Sequence, residues 1–121
     1  MANITLDIEK FREKIRSSAN INKAGMILIH NGIVRDSSRD GQRVSEIEVR
    51  VDWERLEQIL QEARGVPGIV AVEAQIHEGK LKIGDDIMLL GVAGDIRENV
   101  ISVLSKVLDM IKKEVTSKRE F

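Results

Sequence analysis

The side chains most able to do chemistry in this sequence are basic residues near the two ends of its last apolar segment. Arg97 opens that segment, Lys112 lies near its end, and Arg35 ends an aliphatic run earlier in the chain. An arginine binds a phosphate or carboxylate through two parallel hydrogen bonds. Arg97 also lies in the first turn of a predicted helix, where a cation opposes the helix dipole. These positions favour an anion-binding site, and the alternative that the residues only make the surface soluble stays open.

The spacing of Arg97 and Lys112 limits how such a site is built. In one α-helix, their separation in sequence brings the two side chains to within about 60° of the same side, but leaves them roughly 22 Å apart along the axis. A single copy of the helix therefore cannot place both on one small ligand. Two copies that cross antiparallel about a two-fold axis can, because the start of one helix then lies near the end of the other. If the two residues share a site, the protein is a homodimer.

Other combinations of reactive side chains are weaker candidates. Gly94 and Asp95 lead into a helix whose N-terminal N–H groups could bind an anion, although a glycine turn followed by a capping aspartate is the commoner use of this pattern. The acidic residues 85–86 lack the spacing of a metal site, and we predict no metal and no cofactor. His30 and His77 have neither ligand-like spacing nor a neighbouring nucleophile. The basic residues are therefore the main functional candidates.

The composition is that of one folded domain spanning residues 1–121. Apolar residues make up 42% of the chain and aromatic residues only 2%, so the core must be aliphatic. The formal net charge of −1 supplies no general attraction to nucleic acid or to an anionic membrane. The absence of cysteine excludes disulfides and thiolate nucleophiles. No apolar run has the length of a membrane span or the character of a signal peptide, so we expect a cytoplasmic location.

Apolar periodicity predicts the element order α-β-β-α-β-β-α. The predicted helices cover residues 7–17, 52–64 and 96–115, and the predicted strands cover 24–31, 44–51, 69–76 and 87–92. The strand at 24–31 is expected to be buried on both faces, and residues 36–42 to form a turn. Residues 79–85 are expected to form two tight turns around a short extended piece. This order predicts an α+β fold in which helices cover one face of a mostly antiparallel sheet.

The closing helix is predicted to begin near Ile96 and to carry one apolar stripe. Asp95 is the expected N-cap, with Glu98 three residues later to complete a reciprocal capping box. The stripe recurs at helical spacing and consists of Val100, Leu104, Val107, Leu108, Ile111 and Val115. Lys118 and Arg119 follow just past the predicted end of the helix.

Five short motifs in residues 24–120, in the right order and at nearly matching spacings, resemble the large, catalytic subunit of molybdopterin synthase. Residues 29–35 are similar to a strand ending in Gly-x-Val-Arg, and residues 79–86 to Gly-x-Leu-x-x-Gly-(Asp/Glu). Residues 92–97 are similar to Val-x-x-x-His-Arg, residues 108–112 to Asp-x-Leu-Lys, and residues 118–120 to Lys-(Lys/Arg)-Glu.

The resemblance implies a homodimeric α+β protein of the α/β hammerhead type. Each large subunit would bind a small ubiquitin-like sulfur carrier whose C-terminal Gly-Gly ends in a thiocarboxylate. Two sulfurs would pass to a cyclic pyranopterin monophosphate and form the dithiolene of molybdopterin. Carried over from the family, Lys112 and Lys118 would be the catalytic lysines. Their type suits this role, since a desolvated lysine among other cations can have a lowered pKa and act as acid, base or nucleophile. Arg97 would come from the second protomer. The expected substrate-binding residues are Arg35, Arg97, Lys113 and Arg119.

The sequence departs from the family pattern at several positions. Ile96 stands where the family has a histidine, residues 116–117 replace a Pro-aromatic-Trp segment, and His30 replaces an aromatic residue. A basic tail of the family type is also not expected. A second hypothesis is therefore a non-catalytic dimeric homologue that binds the small subunit or a phosphorylated ligand without turnover. A third is a plain anion- or nucleotide-binding domain built on the N-terminus of the closing helix.

Overall fold

The computed structural model describes residues 6–121. Residues 1–5, where the sequence analysis expected no signal peptide, lie outside the described residues. The helices are α1 (Ile8–Arg16), α2 (Trp53–Arg64) and α3 (Arg97–Met110). The strands are β1 (Met26–Ile33), β2 (Glu46–Val51), β3 (Ile69–Ile76), β4 (Gly79–Lys82), β5 (Asp86–Gly94) and β6 (Thr116–Glu120). A 3₁₀ turn at Ile21–Lys23 precedes β1, and a π-helical turn at Ile111–Val115 joins α3 to β6. No helix within residues 6–121 is long and apolar enough to cross a membrane.

The strands form two antiparallel sheets of three strands each. The first sheet has the order β1-β5-β3 and the second has the order β4-β2-β6. The predicted α+β class with antiparallel pairing is confirmed, whereas the expectation of one sheet was wrong. β2 pairs on one side with β4 and on the other with β6, whose residues the sequence analysis placed just past the closing helix without predicting a strand. With both its edges occupied in this way, β2 is the centre of a separate sheet.

β5 is the central strand of the first sheet and is buried along residues 87–94. β1 pairs with only one strand and its residues are mostly half-buried. This corrects the expectation that the strand at 24–31 is buried on both faces. An aliphatic run shows that a strand packs against apolar groups. It does not distinguish a central strand from an edge strand, because neighbouring strands are joined by hydrogen bonds between backbone groups and not by side chains.

Helices cover both faces of the first sheet, and not one face as predicted. Leu89 of β5 packs in a cluster with Phe11 and Ile15 of α1. Leu90 and Val92 belong to the main core on the opposite face, which includes the apolar residues of α2 and α3. Successive side chains of a strand point to opposite faces, so a strand that is apolar at every position needs cover on both. α1 supplies the second cover.

The start of α3 differs from the predicted capping box. The Asp95 carboxylate accepts hydrogen bonds from the Ile96 N–H (2.7 Å) and the Asn99 side-chain amide (2.9 Å). Glu98 pairs with Arg97 (3.3 Å) instead of reaching back to the N-cap backbone. Ile96 occupies the N-cap position, and its side chain makes no capping hydrogen bond. Asp95 therefore stabilises the first turn of α3 although it lies outside the helix.

The end of the predicted closing helix also differs, although most of its apolar stripe is confirmed. α3 ends at Met110, and the next five residues form the wider π-helical turn. Leu104 and Leu108 are only half-buried, and Val103 is buried in their place. The predicted residues that are buried are Val100, Val107, Ile111 and Val115. The buried stripe thus runs on from α3 into the π-helical turn, which anchors the start of β6.

Candidate functional site

A cavity of about 550 Å³ lies where the two sheets meet beside the π-helical turn. Ile33, Val34, Ile47 and Ile87 form its apolar wall. The polar residues that line it are Arg35, Ser37, Ser38, Arg39, Lys112, Thr116, Lys118 and Glu120. The lining thus carries four cationic side chains against one carboxylate. A concave surface with this excess of positive charge attracts an anion.

Backbone hydrogen bonds just past β1 fix the position of Arg35. Val34 is buried, its N–H donates to the Asp85 carbonyl (3.0 Å), and its carbonyl accepts from the Gly84 N–H (2.8 Å). Gly84 has a φ of +88°, which glycine adopts without strain. These bonds tie the end of β1 to the turn between β4 and β5. The tied segment presents Arg35 to the cavity.

The π-helical turn presents Lys112, and not Lys113, to the cavity. The turn is held because Ile111 and Val115 are buried and the Val115 carbonyl accepts from the Asp52 N–H (2.8 Å). Consecutive residues of a helical turn point in different directions. Lys113 therefore lines a separate surface groove on the other side of the turn. The structure does not bring this predicted binding residue to the cavity.

The alternation of β6 brings Lys118 to the cavity and turns Arg119 away from it. Lys118 pairs with Val49 of β2, a fully buried residue, and so lies on the inner face of the second sheet. Arg119 pairs with Glu48 on the outer face. Its guanidinium lies 5.4 Å from the ring centroid of Phe121. Arg119 is therefore outside the cavity, and the structure does not bring this predicted substrate-binding residue to it.

The charges in the cavity act on one another. Burial lowers the pKa of the Lys118 ammonium, the positive charge of Lys112 lowers it further, and the Glu120 carboxylate opposes both effects. A lowered pKa increases the fraction of Lys118 that is a free amine near neutral pH. Burial also lowers the pKa of His30, and the charge of Lys112 adds to this effect. The cavity thus combines anion-binding groups with an amine that gives up its proton more readily than an ordinary lysine.

Sequence reasoning missed Arg39 and the two serines beside it. These residues belong to the loop that follows Arg35, which the sequence correctly marked as a turn. The Ser38 N–H donates to the Gln42 carbonyl (2.7 Å), and Ser37 pairs with Arg43 in an isolated antiparallel bridge. The fold of this loop back on itself places Arg39 at the cavity. The sequence did contain a signal for Arg39, because a turn directly after Arg35 keeps the residues of the turn close to the Arg35 side chain.

Arg97 does not line the cavity of its own chain. It lies at the opposite end of α3 from the π-helical turn, with its side chain 79% exposed. Its guanidinium makes an ion pair with its neighbour Glu98 (3.3 Å). One copy of the chain therefore does not bring Arg97 and Lys112 to the same cavity.

The chain is an α+β protein with two antiparallel sheets, helices on both faces of the first sheet and a cationic cavity where the sheets meet. Such a cavity is suited to binding an anion. The chain belongs to the MoaE protein family, whose model matches residues 1–114. This membership confirms the resemblance drawn from the five sequence motifs. The family supplies the large subunit of the sulfur-transferring enzyme that makes molybdopterin.

Solved structures similar to this chain carry the same fold. Molybdopterin synthase from Staphylococcus aureus is 23% identical, with a TM-score of 0.79 over 96% of this chain and 85% of that one. The molybdopterin cofactor biosynthesis protein E from Burkholderia multivorans ATCC 17616 is 26% identical, with a TM-score of 0.77 over 100% of this chain and 90% of that one. A complex of subunits 1 and 2 of the molybdopterin-converting factor from Helicobacter pylori 26695 contains a chain that is 18% identical, with a TM-score of 0.72 over 95% of this chain and 78% of that one. No curated protein sequence matches the chain.

Proposed function

We propose that the cavity is the site where this large subunit of molybdopterin synthase transfers sulfur. The donor is the C-terminal thiocarboxylate of a small ubiquitin-like subunit, and the acceptor is cyclic pyranopterin monophosphate. Arg35, joined by Arg39, binds the anionic groups of the acceptor through paired hydrogen bonds. Lys112 and Lys118 take up and deliver the protons that the transfer requires. In this proposal Lys113 and Arg119, which lie outside the cavity, have no direct contact with the substrate.

The observation that carries this proposal is the convergence of Arg35, Lys112 and Lys118 on one cavity. These residues come from the end of a strand in the first sheet, from the π-helical turn and from the second sheet. Three separate elements are thus needed to assemble the cluster, which scattered surface charges do not require. The lowered pKa of Lys118 fits a role in proton transfer, because a catalytic acid or base works best with a pKa near the working pH.

The experiment is reconstitution of the enzyme from this chain, a thiocarboxylated small subunit and the pterin precursor. Wild-type protein is expected to form the dithiolene product, and Lys112→Ala to lower the rate by about 100-fold or more, the usual contribution of a positioned acid or base. Lys10→Ala is the control, because Lys10 lies on α1, across the first sheet from the cavity. No product from wild type, or full activity of Lys112→Ala, would contradict the proposal.

A second candidate function is binding of the small subunit or a phosphorylated ligand without turnover. The observation in its favour is Ile96, which is 53% exposed and stands where the resembling family has a histidine next to the arginine. An isoleucine side chain cannot form the hydrogen bond that a histidine could, which would leave the acceptor less firmly held. Saturable binding of the precursor to wild-type protein, with no sulfur transfer in the reconstituted enzyme, would favour this function.

We further propose that the working form is a homodimer in which Arg97 of one protomer completes the cavity of the other. Its support is the position of Arg97 at the far end of α3, with the exposed apolar residues Ile96 and Ile101 beside it. Arginine is enriched in protein interfaces, and the cores of homodimer interfaces are more apolar than the remaining surface. A cytoplasmic location is part of the same proposal.

A further inference from the structure

Thr116 joins the π-helical turn to β6 and lies in the wall of the cavity. It is the first residue of β6, where it pairs with Val51 of β2, and it is half-buried. The Thr116 N–H donates to the Ile111 carbonyl, and the Thr116 hydroxyl donates to the same carbonyl at 3.3 Å. Thr116 also lines the cavity. One residue of the cavity wall therefore makes two hydrogen bonds to the residue that directly precedes Lys112.

The acceptor of the Thr116 N–H determines the form of this turn. In an α-helix the N–H would bond to the carbonyl four residues earlier, which belongs to Lys112. In the π-helical turn it bonds to the carbonyl five residues earlier, that of Ile111. Because the hydroxyl bonds to the same Ile111 carbonyl, it favours the π-helical form. The two forms wind differently and point the Lys112 side chain in different directions.

The last residues of the turn are held separately, from the start of α2. The Val115 carbonyl accepts from the Asp52 N–H (2.8 Å), and the Glu114 carboxylate accepts from the Arg55 guanidinium (3.2 Å). These bonds fix the side of the turn that faces α2. The side that faces the cavity is held by the bonds from Thr116, so the two attachments can be removed one at a time.

We propose that Thr116 is a positioning residue for Lys112, and that its hydroxyl holds the turn in the π-helical form that points Lys112 into the cavity. Without the hydroxyl, the N–H of residue 116 takes the Lys112 carbonyl as its acceptor, and the lysine turns away from the substrate. The inference rests on the proposed role of Lys112 in the reaction. It concerns a feature of this chain, since residues 116–117 replace a Pro-aromatic-Trp segment of the resembling family.

The first test needs no enzyme activity and identifies the acceptor of the N–H of residue 116 in the intact chain. NMR detects the scalar coupling across this hydrogen bond. We expect wild-type protein to show coupling to the Ile111 carbonyl carbon, and Thr116→Val to lose it in favour of the Lys112 carbonyl carbon. Valine keeps the shape of threonine and suits the start of a strand, so the variant should fold. If it does not, Thr116→Ala replaces it.

Thr116→Ser is the matched control for this measurement. It keeps the hydroxyl and should keep the coupling to the Ile111 carbonyl carbon. Retention of that coupling in Thr116→Val would overturn the inference, because the hydroxyl would then not be needed for the π-helical form.

The second test is the rate of the reconstituted enzyme. We expect Thr116→Val to lower kcat by at least about tenfold and to change KM by less than about threefold, because a misplaced catalytic group slows the reaction. Thr116→Ser should stay within about threefold of wild type, since a neutral hydrogen bond is retained. Glu114→Gln removes the charge of the attachment to α2 and should also stay within about threefold, because an exposed ion pair contributes little.

A double variant shows whether Thr116 acts through Lys112. Lys112→Ala combined with Thr116→Val should be no slower than Lys112→Ala alone, because the hydroxyl then has no lysine to position. Wild-type kcat in Thr116→Val, or a further loss in the double variant, would overturn the positioning role. Absence of product from wild-type protein would contradict the proposed function instead. The NMR coupling still decides in that event whether the hydroxyl holds the turn, so the two failures are distinguishable.

Discussion

Lys118 contributes a reactive amine to the cavity but lowers the stability of the folded state. Its ammonium loses part of its hydration in the fold, and Lys112 repels it, so its charged form is less stable in the native protein than in the unfolded chain. The same two effects make its amine available for proton transfer. A cation that opposes folding and lies in a cavity with other cations is typical of a functional site.

Lys118→Met should stabilise the protein near neutral pH. Between the lowered pKa of folded Lys118 and its unfolded value, the unfolded chain binds more protons, so wild-type stability rises with pH through that window. Below the window the folded state carries the full penalty, and the methionine variant escapes it. The expected gain stays below about 1 kcal/mol, because solvent screens a partly exposed charge, and it shrinks as the pH rises towards 10.5.

Urea unfolding of Lys118→Met at several pH values measures this gain, with Lys118→Arg as the control that keeps a permanent charge. A gain of equal size in Lys118→Arg, or a gain that grows with pH, would show that the charge of Lys118 is not the cause.

At the scale of elements, the sequence predicted those parts of the fold that apolar periodicity encodes. α2 and its Asp52 cap are confirmed, since the Asp52 carboxylate accepts from the Arg55 N–H (3.0 Å). β6 was missed because residues 116–120 contain no apolar side chain, and only their pairing with β2 makes them a strand. The π-helical turn was missed because Ile111 and Val115 are spaced as in an ordinary α-helix.

The candidate site was also predicted only in part from the sequence. The motifs pointed to Arg35, Lys112 and Lys118, which the structure brings together. They did not separate Lys112 from Lys113, or Lys118 from Arg119, because sequence neighbours are told apart only by the direction of the turn or the face of the strand. The faces of Lys118 and Arg119 depend on β2, which pairs with β6 across a long stretch of chain.

The packing of α1 on β5 depends on Gly91, and Gly91→Ala should therefore destabilise the protein. A Cβ atom at this position would lie 2.9 Å from Cε2 of Phe11 and would also collide with Ile15. α1 would have to move off the sheet, and we expect a loss of about 1–3 kcal/mol, the usual cost of overpacking a core. Equilibrium urea unfolding measures the change.

Gly65→Ala is the matched control for this prediction. Gly65 ends α2 with ordinary helical backbone angles, and a Cβ there would make only a normal contact with the Glu62 carbonyl at 3.5 Å. The control should be neutral or slightly stabilising, because alanine restricts the unfolded chain more than glycine does. Equal stability of Gly91→Ala and wild type would mean that α1 does not depend on close contact with β5.

At the scale of the whole molecule, α3 separates the two halves of the proposed site. Its start carries Arg97 with Ile96 and Ile101 exposed beside it, and its far end leads into Lys112. Under the proposed function, one chain offers only part of the cluster at each end of this helix. In the proposed two-fold dimer, crossed α3 helices would complete both clusters at once, because an isologous interface repeats every contact.

This arrangement predicts that two inactive variants restore activity when they are mixed. Arg97→Ala and Lys112→Ala should each be inactive as homodimers, since every site then lacks one residue. In the mixed dimer one site lacks both residues and the other has both, so activity should return to about half of the wild-type value per dimer. Co-expression with two different affinity tags isolates the mixed dimer, and sedimentation establishes its mass. Arg35→Ala mixed with Lys112→Ala is the control: both residues come from one protomer, every site stays defective, and no activity should return. Recovery in the control pair, or none in the first pair despite mixed dimers, would mean that each chain builds its site alone.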